Sequence, residues 1–190
     1  MIIDAHVILR DNKHMEEVVD SARKNGIDKI CTMSLGTPIP HWRDNPSPEE
    51  VRIGNNKTIR AMSDFPDEVI GFCYLNPLHR KSSLPELERC IKAGMQGIKL
   101  WVACKASDKK LHPIAKEAIR YDIPILQHAW NKVTGNRSGE STSEDVCILA
   151  ERFPKLKIIA HHLTGAGYRG ILEVKKYKNI FHNTSEDIQR

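Results

Sequence analysis

Three times in this chain a short apolar run ends on a histidine. The clearest case is Phe153–Gly165, F-P-K-L-K-I-I-A-H-H-L-T-G, where a turn at Pro154 leads into a run that closes on paired imidazoles and a glycine. Met1–Leu9, M-I-I-D-A-H-V-I-L, carries His6, and Ile123–Trp130, I-P-I-L-Q-H-A-W, carries His128. Short runs that are apolar throughout, rather than alternating, read as strands of a parallel sheet covered on both faces. When such strands close into a barrel, the side chains at their carboxyl ends converge. Convergent imidazoles are donors for a metal ion such as zinc.

The rest of the chain supplies the frame. Strands are predicted near 2–8, 27–34, 69–75, 97–101, 123–128, 157–162 and 180–183. Segments of helical spacing lie between them: Met15–Asn25 closed by Gly26, Glu49–Phe65, Pro85–Ala93 closed by Gly94, Leu111–Tyr121, Ser143–Arg152 and Ile171–Tyr177. Ser143 is the expected N-cap of its helix. Strand–helix alternation of this kind predicts an α/β chain built on a parallel sheet. No G-x-G-x-x-G follows the first strand, which argues against a doubly wound dinucleotide-binding sheet. The expectation is one domain over residues 1–190, a parallel (β/α) TIM-like barrel. Such a barrel has about eight strands, and the eighth is lacking, so a C-terminally truncated or one-seam-open barrel is expected.

Charge and cysteine content narrow the classes. The net charge is +5, and no run of five like charges occurs, so a nucleic-acid partner is not expected. No apolar stretch approaches the roughly 18 residues of a membrane span. The five cysteines include no C-x-x-C pair, which argues against a disulfide framework or a cysteine zinc site. Cys31 and Cys73 fall within apolar runs and read as small core residues in a reducing, cytoplasmic setting. The proline-rich segment Gly36–Pro48, with His41 and Trp42, is long for a connection and is expected to act as a lid on the histidine rim. A homo-oligomer is left open.

The motifs, taken in order, resemble those of the amidohydrolase superfamily, in its amidohydrolase-2 branch of metal-dependent barrel hydrolases and decarboxylases. I-I-D-A-H resembles the first-strand I-D-x-H-x-H of that family. L-N-P and L-P-E-L-E-R-C-I-K-A-G-M-Q-G-I-K-L resemble its third-strand exit, helix and fourth strand. I-P-I-L-Q-H-A-W, F-P-K-L-K-I-I-A-H-H-L-T-G and N-I-F-H-N-T-S resemble strands five, six and seven.

The resemblance implies His6 and His128 as metal ligands and His162 as the catalytic histidine of strand six. His161 is expected to point to the other side. The family's second first-strand histidine falls at Ile8, which cannot bind a metal, and its strand-eight aspartate has no counterpart. Glu186 and Asp187 read instead as a helix start. The implied cofactor is a divalent metal, zinc, weakly held or absent. The implied reaction is hydrolysis of a small amide, ester or lactone by a metal-activated water. Non-oxidative decarboxylation of a small carboxylic acid is one alternative; a catalytically impaired member acting as a binding protein is the other. Lys99 is a candidate to steady an anionic small-molecule substrate, and Trp42 and Trp101 are candidates to line its pocket.

Overall fold

Seven strands and six helices alternate along the residues described by the computed structural model, 1–36, 43–162 and 168–183. Contacts divide the chain into two units, Met1–Gly97 and Ile98–Arg190. Residues 37–42 of the expected lid, including Trp42, lie outside the described residues.

In the first unit, β1 (Ile3–Ile8), β2 (Lys29–Met33) and β3 (Val69–Tyr74) pair in parallel and in sequence order. A register shift between Asp4 and Val7 interrupts the β1–β2 pairing. Helix α1 (Asn12–Lys24) places Met15, Val19 and Ala22 on one face, and these pack with Leu9, Ile30, Ala61 and Val69 into one apolar cluster. Gly26 then takes a left-handed φ of 71° to turn the chain into β2. Helix α2 (Pro48–Asp64) begins with a Ser47–Glu50 capping box.

The Gly54–Asn55 pair inside α2, unpromising for a helix, has a packing role. A Cβ on Gly54 would meet the Ser34 carbonyl oxygen at 2.8 Å, so the helix lies against the chain leaving β2. Asn55 is fully buried; its amide donates to the Tyr74 carbonyl at 3.0 Å and its carbonyl accepts from the Tyr74 N–H at 2.8 Å. Helix α3 (Arg80–Lys92) starts upstream of the expected Pro85. Buried Ser83 donates to the Asn76 carbonyl at 2.6 Å and anchors a first turn that contains no proline.

The second unit continues the pattern. β4 (Gly97–Leu100), β5 (Ile125–Gln127), β6 (Ile158–Ala160) and β7 (Ile180–His182) pair in parallel in that order. The register aligns Ile98, Ile125, Ile158 and Ile180, all buried, into one apolar row across the sheet. Helices α4 (His112–Arg120), α5 (Ser143–Arg152) and α6 (Tyr168–Val174) make up the rest. The N-cap of α5 is Thr142, not Ser143: Thr142 is extended and exchanges a capping box with Asp145. Ser143 is the first helical residue, and its hydroxyl binds Glu173.

In both units each strand pairs with its neighbours in sequence, the order of a (β/α) barrel rather than the reversed order of a doubly wound sheet. Among the described residues no helix is long and apolar enough to cross a membrane. All five cysteines are buried thiols.

Candidate functional site

Parallel register decides which residues meet. Leu100 pairs with Gln127, and Gln127 with Ala160. The next residues along, Trp101, His128 and His161, therefore emerge side by side at the carboxyl ends of β4, β5 and β6. The His128 N–H still donates to the Leu100 carbonyl at 3.1 Å, which holds the ring's backbone at the sheet edge. The Trp101 and His128 rings meet edge-on, centroids 6.4 Å apart.

His162 joins the same group by a different device. Strand β6 ends at Ala160, and His162 takes a left-handed backbone, φ 63°. An L-residue adopts that conformation at a cost of about 1–2 kcal/mol, although histidine tolerates it better than most. The alternation that would send neighbouring side chains to opposite faces stops there. The His161 and His162 rings lie 3.5 Å apart, and the His128 ring is 5.9 Å from the first and 5.0 Å from the second. One nitrogen from each of the three imidazoles lies within 4.8 Å of the other two. His161, expected on the other side, thus shares the cluster.

The surroundings are aromatic and cationic. Trp130 lies 4.3 Å from the His162 ring, with the Lys132 ammonium 5.7 Å from the Trp130 ring. The Arg137 guanidinium sits 5.6 Å over Trp101. Lys99 is buried within β4, and burial pushes its pKa down to about 7. Burial also lowers the pKa of His128; the Glu140 hydrogen bond opposes the shift, and the Lys99 charge adds to it. Burial thus favours the neutral imidazole at His128, the form in which a histidine binds a metal.

His6 lies on β1 in the first unit, half-buried, with its backbone N–H donating to the Asp4 carboxylate at 3.0 Å. Of the sequence-predicted site residues, the second unit thus brings together His128, His162, Lys99 and Trp101. Trp130, Lys132 and Glu140 were not foreseen. Trp130 closes the motif I-P-I-L-Q-H-A-W, and an aromatic there was the signal; Lys132 and Glu140 sit in an irregular connection that has no periodicity to read.

The sequence profile of the amidohydrolase family matches residues 43–186. This chain belongs to the amidohydrolase family. Solved structures share the fold of this amidohydrolase at low identity. 4-Oxalomesaconate hydratase from Rhodopseudomonas palustris superposes with a TM-score of 0.67 and 20% identity, covering 98% of this chain and 74% of that one. A protein assigned as a 2-pyrone-4,6-dicarboxylic acid hydrolase from Acinetobacter baumannii, with citric acid bound, gives 0.64 and 11% over 97% and 70%. A dihydroxybenzoic acid decarboxylase from a Polaromonas species, with manganese and 2-nitroresorcinol bound, gives 0.59 and 16% over 86% and 65%. The amidohydrolase is thus a TIM-barrel-like α/β protein, with seven parallel strands among its described residues.

Proposed function

We propose that this chain is a metal-dependent hydrolase of a small amide, ester or lactone, with His128 as a metal ligand and His162 as the catalytic histidine. The observation that carries the reading is the convergence of three imidazole nitrogens within 4.8 Å. Neutral imidazoles suit zinc and related divalent ions, so the donor set fits the group. The third imidazole, His161, adds a donor beside His128.

A divalent ion bound here supplies a water of near-neutral pKa and a charge that polarises a carbonyl. The chain's own residues do the rest. His128 is kept neutral by burial and is anchored through Glu140. His162, turned back by its left-handed backbone, is proposed to hold or pass a proton at the reacting oxygen. Trp101 and Trp130 present apolar faces that exclude water from a bound small molecule. Lys99 is proposed to steady an anionic group on the substrate.

Decarboxylation of a small carboxylic acid is the second reading. The cationic groups at Lys99 and Arg137 favour it, since each suits a substrate carboxylate. The fold relatives named above include a decarboxylase and a protein with citric acid bound.

The test is elemental analysis of the purified chain after dialysis against zinc or manganese, followed by turnover assays. Lactones, aryl esters and amides form one panel, and dihydroxybenzoates the other. Metal near one equivalent with turnover in the first panel supports hydrolysis; turnover confined to the second supports decarboxylation. Absence of bound metal would remove both readings and leave a binding protein.

A further inference from the structure

The connection between β5 and α5 folds back on the histidine cluster. Ala129 and Ser141 form a parallel bridge, and the Trp130 N–H donates to the Ser141 carbonyl at 2.8 Å. The Ser141 hydroxyl accepts from the Ala106 N–H at 2.9 Å, which ties the same loop to the segment after β4. Gly139 packs so closely that a Cβ there would lie 2.1 Å from the Val102 carbonyl oxygen. This stitching delivers Glu140 to the interior, where it is 1% exposed.

The Glu140 carboxylate meets three donors. Oε1 lies 2.8 Å from His128 Nε2 and 2.8 Å from Lys132 Nζ; Oε2 accepts from Lys132 Nζ at 3.0 Å and from the Arg137 N–H at 3.0 Å. An ionised carboxylate has no proton to donate. The proton in the contact with His128 must therefore sit on Nε2, and a neutral imidazole protonated there has its only lone pair on Nδ1.

We infer that Glu140 is the positioning residue of this site: it sets the tautomer and ring orientation of His128, so that Nδ1 is the nitrogen offered to a ligand. A carboxylate behind a ligating imidazole also raises the basicity of the ring. Lys132 and the Arg137 N–H keep the carboxylate ionised and in place, and its removal from water strengthens each of these charge-assisted bonds. The part of the inference that concerns metal affinity rests on the metal-dependent reading above; the tautomer does not.

Two measurements test it. Two-bond 1H–15N spectra of the metal-free chain at pH 8, with His128 assigned by its loss in His128→Gln, should show His128 protonated at Nε2. Competition titrations with zinc and with manganese should then show Glu140→Gln binding about 10–100-fold more weakly than wild type, with the His128 tautomer no longer single. A wild-type His128 protonated at Nδ1, or at both nitrogens, overturns the inference. So does a Glu140→Gln chain with unchanged affinity and an unchanged tautomer. If Glu140→Gln fails to fold by circular dichroism, the wild-type spectrum decides the matter alone. If the wild-type chain binds neither metal, the metal-dependent reading falls, and the tautomer still decides the role of Glu140.

Discussion

His162 lies edge-on to His128, ring centroids 5.0 Å apart and planes at 84°, although the two follow different strands. With His161 they supply the three nitrogens of the cluster. Truncating a ligand removes a donor bond outright. His161→Ala should therefore weaken zinc or manganese binding by more than the roughly tenfold that loss of an outer partner costs, whereas His162→Ala should lower turnover more than affinity. Chelator-competition titration measures this. Affinity unchanged in His161→Ala would mean that this imidazole serves packing alone.

Lys99 is fully buried, and burial pushes its pKa down to about 7. Keeping a lysine in such a place costs stability. Lys99→Met, which preserves length and apolar contact, should raise the urea midpoint, by about 1 kcal/mol or more in unfolding free energy. A lower midpoint would show that Lys99 holds the fold together rather than being retained for the site.

Asn55 closes both backbone groups of Tyr74 at the end of β3 and also donates to Glu86 Oε1 at 3.0 Å. Asn55→Ala would leave buried backbone groups unmatched, at about 1–3 kcal/mol for each. Equilibrium denaturation should show a loss of about 2–4 kcal/mol. A loss within experimental error would mean that water enters and replaces the amide.

Glu86 links stability to acid. Burial raises its pKa, but hydrogen bonds from Arg89 and Asn55 and the charges of Arg89 and Arg52 outweigh this and leave it lowered. Arg89 Nη2 lies 2.6 Å from Oε1 and Nε 2.9 Å from Oε2. With the folded value below the unfolded one, the unfolded chain binds more protons between the two. Stability is then present above the unfolded carboxylate range, near pH 4.5, and is lost as pH falls through the folded value. Urea midpoints from pH 6 to pH 3 should fall more steeply for wild type than for Glu86→Gln. Parallel curves would show that the shift does not reach the stability of the chain.

What the sequence determined by itself was the frame. Apolar runs of strand length, helical spacing between them and glycine closures such as Gly26 are local properties, and the strands lie close to where their residues put them, while α3 begins at Arg80 rather than Pro85 and α6 ends at Val174 rather than Tyr177. The strand-end positions of His128 and the His161–His162 pair were legible for the same reason. Membership of the cluster was decided only in three dimensions. The left-handed backbone at His162 ends the alternation that would have separated it from His161, and parallel register sets Trp101, His128 and His161 abreast. The N-cap is Thr142 because it exchanges a capping box with Asp145 three residues on, a local pattern, while Ser143, inside the helix, binds Glu173. Glu140 reaches His128 through a loop with no periodic signal, fastened by Ser141 to Ala129, Trp130 and Ala106. A contact made by a fold-back of this kind depends on the summed path of the loop, which no single residue along it specifies.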